Sequence, residues 1–192
     1  MSVAVSPPEK KQMTVEEFLA LPDDGISREL IRGLLKERGM TVRNRFHSKA
    51  EALIVKLLGN WLDGLPEPRG EIVCGEAGFR LRGPTDTVVG IDVAFASAAL
   101  VAATDASQKT FDGPPALAVE ILSPSDTHEE VIDKIKLYHE AGVVVWEVDP
   151  DLRVVRVHRP GREAEMFTQS QELTTEPELP GFRAAVARIF GD

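Results

Sequence analysis

The sequence predicts an α/β fold, a mixed central sheet with helices packed against it. Three observations carry this. Two segments repeat apolar residues at helical spacing, over 46–64 and 127–141. Several short runs rich in Val, Ile, Leu and Ala are extended in character, chiefly 88–96, 116–122 and 143–148. These two kinds of segment interleave along 192 residues, a length suited to one domain with its own core.

The elements follow in order. Residues 1–13 read as a disordered tail and 14–192 as a single domain. Thr14 and Glu17 form a capping box ahead of Phe18 and Leu19, and Pro22 stops that short helix. Asp23, Asp24 and Gly25 make a turn, and 29–35 reads as a tight hairpin with Arg32 and Gly33 at its tip. Ala50, Leu53, Ile54, Leu57, Leu58, Trp61 and Leu62 line one face of a long helix, which Pro66 and Pro68 separate from the next segment. Extended pieces follow at 71–74, 79–82, 88–96 and 116–122. Thr127 and Glu130 form a second capping box, and the helix they open ends at Gly142. A strand at 143–148 turns through Asp149 and Pro150 into a half-exposed partner at 153–157. Residues 171–181 are irregular, and 183–190 reads as a last short helix.

Composition narrows the function. Apolar residues make up 43% and charged residues 28%, as expected of a globular protein. No apolar run reaches the roughly 20 residues of a membrane span, and the N-terminus lacks the layout of a secretory signal. The single cysteine, Cys74, rules out an internal disulfide and a cysteine-rich zinc site, and it suits a reducing cytoplasm. A net charge of -9 speaks against a protein that coats nucleic acid. The charge is uneven, however: Arg28, Arg32, Lys36, Arg38, Arg43, Arg45 and Lys49 crowd one stretch against only Glu29 and Glu37. That patch is either a solvated basic surface or an edge that meets phosphate.

Two strands carry the candidate chemistry. Strict alternation over 88–96 sends Ile91, Val93 and Phe95 to one face and Gly90, Asp92, Ala94 and Ala96 to the other. Over 116–122 it sends Leu117, Val119 and Ile121 one way, and Ala118 and Glu120 the other. Each apolar strand thus holds one carboxylate, which is costly to desolvate alone. A shared divalent ion would offset that cost, because hard cations take carboxylate oxygens. A loop cap or an arginine partner would offset it equally well. On a helical wheel started at Val131, the residues Ile135, Tyr138 and Ala141 face inward; Lys134 falls within that arc and Lys136 outside it. An inward lysine needs an acidic partner. Asp92, Glu120 and Lys134 therefore form a group able to hold a metal and stabilise charge on a phosphoryl centre.

The motifs PALAVEILSPS at 115–125, Lys134 and Tyr138 followed by AGV at 141–143, and WEVDP at 146–150 resemble the Uma2 family of endonucleases. RELIRG at 28–33, His47 at the head of the long helix, and GIDVAF at 90–95 match the same pattern, so the resemblance runs from about Thr14 to Phe190. It implies a restriction-endonuclease-like fold of the PD-(D/E)XK type. Asp92 and Glu120 would be the acids that bind Mg²⁺, with Mn²⁺ as a possible substitute. Ile91 stands where the motif has proline, and Leu122 where it has lysine. In this family the lysine is displaced to the next helix, where Lys134 stands. The segment 142–146 is one residue shorter than the pattern and lacks its proline.

Two auxiliary residues complete the expectation. Glu29 at the first strand either joins the metal shell or is an exposed strand-end acid. His47, on the apolar face of the long helix, is either a satisfied core histidine or a second catalytic group. The function implied is Mg²⁺-dependent hydrolysis of DNA phosphodiester bonds in the cytoplasm, with no membrane association. The alternative is a nuclease-like fold kept as a nucleic-acid-binding or assembly module. Nucleases of this fold often cut as homodimers, and apolar surface around 143–157 is the candidate contact.

Overall fold

The computed structural model describes residues 12–39, 44–81, 83, 85–124 and 126–191. Most of the expected tail, Arg43 of the basic patch and Ser125 of the 115–125 motif lie outside them. The described part is an α/β assembly built on a sheet of eight strands. Helix α1 (Val15–Leu19) opens with the Thr14–Glu17 capping box, and strands β1 (Ser27–Ile31) and β2 (Leu34–Arg38) form the hairpin. Arg32 and Gly33 at its tip both have positive φ, 51° and 76°, as a tight hairpin turn requires. Met13 N–H donates to the Gly33 carbonyl at 2.8 Å and ties the chain entry to that turn.

Helix α2 (Arg45–Asp63) follows, with Asn44 capping its N-terminus. The pieces at 71–74 and 79–82 belong to one strand, β3 (Glu71–Leu81). The gap between them is a bulge: Cys74 pairs with Val93 and Ala77 with Ile91, so Gly75 and Glu76 together stand opposite Asp92. Strands β4 (Thr87–Ala96) and β5 (Leu117–Ile121) flank a short helix α3 (Ala98–Ala103), which the sequence pattern did not single out. Helix α4 (His128–Glu140) opens on the Thr127–Glu130 capping box, and β6 (Val144–Asp149) returns parallel to β5.

The C-terminal part departs from expectation. Strand β7 (Val154–His158) pairs with β6 as expected, and β8 (Glu165–Thr168) closes that edge of the sheet. The stretch 171–181 contains strand β9 (Glu172–Thr174). The last helix is shorter than read: Arg183–Ala185 forms β10 against β9, and only Val186–Phe190 is α5. Ala184 and Leu173 are buried in that pairing, so tertiary packing overrides the helical bias of an alanine-rich stretch.

Two apolar layers cover the two faces of the sheet. On one, α2 packs Ile54, Leu57 and Leu58 over Val93, Phe95, Val119 and Trp146. On the other, α4 packs Leu137 and Tyr138 over Ile91, Ala94, Ala118 and Val145. Val143, Val144, Val145, Trp146, Val148, Val154, Val155 and Val157 are all buried within this core. Of the apolar surface expected around 143–157 as a homodimer contact, Leu152 in the turn between β6 and β7 is exposed, whereas the apolar side chains of β6 and β7 themselves are interior because each strand is paired on both edges. Among the described residues no helix is long and apolar enough to cross a membrane.

The sheet has one topological feature that matters for chemistry. Strand β3 pairs along nearly all of one edge of β4. The opposite edge is shared: β1 meets it at Val88, and β5 meets it at Val93–Phe95. Between these neighbours β4 is open, and Asp92 stands in the opening. The sheet forks there.

Candidate metal centre at the strand fork

The regular alternation expected of β4 breaks at this fork. Ile91 packs on the α4 side and Val93 on the α2 side, yet Ala94 is back on the α4 side. Two successive residues, Asp92 and Val93, thus face α2, a local irregularity that matches the bulge on β3 directly opposite. Its effect is to turn the Asp92 carboxylate into the fork. Asp92 Oδ2 accepts from the Ile121 N–H at 2.9 Å and lies 3.3 Å from His47 Nε2. Burial alone would raise the Asp92 pKa. The His47 bond and charge, the Ile121 amide and the nearby Lys134 outweigh it and hold the carboxyl below its usual value.

Glu120 approaches from β5, one register step beyond the Val93–Val119 pair and so across from Asp92. Helix α4 takes both of its oxygens. Lys134 Nζ donates to Oε2 at 3.0 Å, and the Tyr138 hydroxyl donates to Oε1. Burial pushes the Glu120 carboxyl up to about 7, with Lys134 pulling in the opposite direction. Lys134 behaves conversely: burial would lower its pKa, but Glu120 and Glu29 hold the ammonium firmly charged. Tyr138 is raised well above its usual value, first by burial and then by the Glu120 charge beside it.

Lys134 has two further contacts. It donates to the Gly90 carbonyl at 3.1 Å and lies 3.3 Å from Glu29 Oε1, within ion-pair range but without hydrogen-bond geometry. That Glu29 oxygen is buried and has no hydrogen-bond partner among the described residues. Lys136, by contrast, is exposed and paired with Asp133 at 3.1 Å, as the wheel required.

All five sequence-predicted residues come together. Asp92, Glu120, Lys134 and Glu29 meet at the fork, and His47 reaches it from the first turn of α2. His47 is fully buried, and its Nδ1 faces Glu51 Oε2 at 3.9 Å one helical turn away. Glu51 in turn accepts the Gly75 N–H at 3.1 Å, which fixes the bulge to α2. Two neighbours escaped the sequence reading. Tyr138 lies on the inward arc of α4, one turn after Lys134, and belongs to the motif that carries the resemblance, but nothing in the sequence assigns it a role at the site. Glu76 gave no signal: it sits in the bulge at φ 62°, and its carboxylate occupies the space left by Gly90, where a Cβ would lie 2.7 Å from Oε2.

The donor set suits one kind of ion. Among the described residues no group of three or more His, Cys, Asp or Glu side chains is arranged as a metal cluster. A zinc-type cage is thereby not what the fork offers. Mg²⁺ needs less, since it takes one or two carboxylates and keeps several waters. Asp92 and Glu120 are two such carboxylates, and Glu29 Oε1, without a hydrogen-bond partner among the described residues, lies 3.3 Å from the Lys134 ammonium. The residues fit Mg²⁺ or Mn²⁺.

The described residues of the basic stretch lie largely at the surface and are paired with acids. Arg28 pairs with Asp24 and Glu37, Arg32 with Glu140, and Arg38 with Glu130 and Asp126. Arg45 stacks over the exposed Phe46 ring at 4.6 Å. Much of the patch is thus engaged within the chain.

Comparison with known proteins bears on the fold and the family. A solved structure described as a putative nuclease belonging to DUF820, from Anabaena variabilis ATCC 29413, superposes with a TM-score of 0.77 at 21% identity; the match covers 93% of this chain and 97% of that one. It shows that the two chains share a fold. Comparison with the curated proteins gave no match. The family model Uma2, described as "Putative restriction endonuclease", matches residues 15–187, nearly the whole chain. The chain belongs to the Uma2 family.

Proposed function

We propose that this protein is a metal-dependent endonuclease that hydrolyses phosphodiester bonds of DNA at the fork between β1, β4 and β5. The observation that carries the proposal is the approach of two strand carboxylates, Asp92 and Glu120, and the helix lysine Lys134 to the stretch of β4 between its β1 and β5 pairings. Asp92 and Glu120 would hold Mg²⁺ or Mn²⁺. When bound, such an ion polarises a phosphate and lowers the pKa of a coordinated water. The chain's own residues do the rest. Ile121 N–H and His47 keep Asp92 ionised and oriented. Lys134 balances the two carboxylates on its own side and holds positive charge near the position where negative charge would develop. Glu29 shares Lys134 and could join the metal shell. Exposed basic side chains such as Arg45 would meet the phosphate backbone.

One observation favours a second reading, a nuclease-like fold used as a binding or assembly module. Three arginines of the basic stretch are already spent on acids, on a protein of net charge -9. The experiment that separates the two measures Mg²⁺- or Mn²⁺-dependent cleavage of plasmid and single-stranded DNA by the wild type and by Asp92→Ala. Cleavage by the wild type that is lost in Asp92→Ala supports catalysis at the fork. Equal activity of the two proteins removes Asp92 from the mechanism, and retained DNA binding without any cleavage favours the module.

A further inference from the structure

Glu120 is held in an unusual way for a prospective metal ligand. A carboxylate offers about four lone-pair positions on its two oxygens. Here each oxygen already accepts one hydrogen bond, and both come from α4: Lys134 on Oε2 and Tyr138 on Oε1. The two donors are four residues apart, one helical turn, so a single rigid element grips both oxygens at once. A carboxylate held by one donor can still turn about its last bond. Held by two, it cannot, and one lone pair on each oxygen is left for a ligand. Tyr138 is itself fully buried in the apolar cluster that contains Leu137, Val143 and Val145. The core needs an aromatic ring at this position, but it does not need the oxygen. That hydroxyl is placed within a largely apolar cluster, where its partner is the Glu120 carboxylate.

We propose that Tyr138 is a positioning residue for Glu120: with Lys134 it fixes the plane of the carboxylate so that the remaining lone pairs can receive a divalent ion. This rests on the metal-centre reading above. The role is indirect, since the hydroxyl touches the ligand and not the ion. Partners of this kind behind a metal ligand typically contribute about 10- to 100-fold in metal affinity.

Two measurements test it without recourse to activity. Calorimetric titration with Mg²⁺ compares the wild type with Tyr138→Phe, which keeps the ring and removes only the hydroxyl. The expected result is binding weakened about tenfold or more with the fold retained by circular dichroism. Equal affinity in the two proteins would overturn the positioning role, because a space-filling ring predicts no change. The second measurement holds even where Tyr138→Phe does not fold. Tyr138 is the sole tyrosine in the sequence, so growth on 3-fluorotyrosine labels this position alone. The single ¹⁹F resonance of the otherwise natural protein should move on addition of Mg²⁺, and should not move in Glu120→Gln. If calorimetry records binding while the resonance stays fixed, the positioning role fails and the metal centre stands. If the wild type takes up no Mg²⁺ at all, both fail together.

Discussion

Lys134 Nζ lies 3.0 Å from Glu120 Oε2 and 3.3 Å from Glu29 Oε1, so one helix lysine closes two strand carboxylates across the fork. A cation in that position neutralises acids that would otherwise repel one another inside the protein. Removing it should therefore cost more than a surface charge does. Lys134→Met is expected to destabilise the fold by about 2–3 kcal/mol, below the 3–5 kcal/mol of a fully buried pair because Lys134 is a quarter exposed. Lys136→Met, at the exposed pair with Asp133, should stay within about 0.5 kcal/mol. Urea unfolding of the two variants side by side checks this, and equal stabilities would mean that Lys134 does not hold the fork.

The His47–Asp92 contact has a pH signature. The folded-state pKa of Asp92 lies below its unfolded value, so its ionised form contributes stability that is present above the ordinary aspartate range and lost as pH falls through the folded value. Replacing His47 removes the main opposing influence to burial. His47→Phe should thus be less stable than the wild type at neutral pH by about 1–3 kcal/mol, the usual cost of stranding a buried polar partner. The gap should narrow as the solution is acidified below pH 4 or so. Thermal unfolding across a pH series gives the answer. A gap independent of pH would show that His47 acts through packing alone.

Glu120 has the opposite sign. Its pKa is raised to about 7, so the folded state binds an extra proton between the ordinary glutamate range and neutrality. Two consequences follow from that one proton. Stability contributed by Glu120 declines as pH rises through this window, and the oxygen set needed for a divalent ion becomes available over the same window. Mg²⁺ affinity should therefore climb between pH 6 and pH 8 or thereabouts. In Glu120→Gln this climb should disappear along with most of the binding. Affinity that is flat with pH in the wild type would contradict the assignment of Glu120 as a ligand.

Gly90 is required where it stands for a steric reason. A Cβ there would come within 2.7 Å of Glu76 Oε2, 3.3 Å of its Cβ and 3.4 Å of its carbonyl oxygen. Because the first of these atoms ends a flexible side chain, the cost of Gly90→Ala should be moderate, about 1–2 kcal/mol. Glu76→Ala in the same chain should restore part of it. Stability measurements on the two single variants and the double variant test the contact, and strict additivity would show that residues 76 and 90 do not meet.

What the sequence disclosed, and what it concealed, divides along physical lines. Periodicity exposes anything repeated along one element: α2, α4 and their capping boxes, the hairpin turn at Arg32 and Gly33, and the choice of Lys134 over Lys136. Strand alternation located Asp92 and Glu120 as isolated acids in apolar runs. It failed just at Asp92, where the irregularity in β4 sends two successive side chains towards α2. Such a break depends on which strands pair on either edge, and pairing is not written in local spacing. The same holds for Glu76, which acquires its place only because Gly75 and Glu76 bulge opposite Asp92. Tyr138 illustrates the third case. Its inward direction was legible, but whether an inward tyrosine fills space or serves a carboxylate depends on a contact between helix and sheet. The terminal strands β9 and β10 were hidden because tertiary pairing overrides weak local preference.

Catalysis at the fork as proposed requires a divalent ion shared by Asp92 and Glu120. Crystals grown with Mn²⁺ and measured at the manganese absorption edge test it most directly. We predict an anomalous peak at the fork within about 2.0–2.3 Å of oxygens from both Asp92 and Glu120. A peak bound elsewhere with the fork empty, or no peak under conditions where cleavage proceeds, would contradict the account.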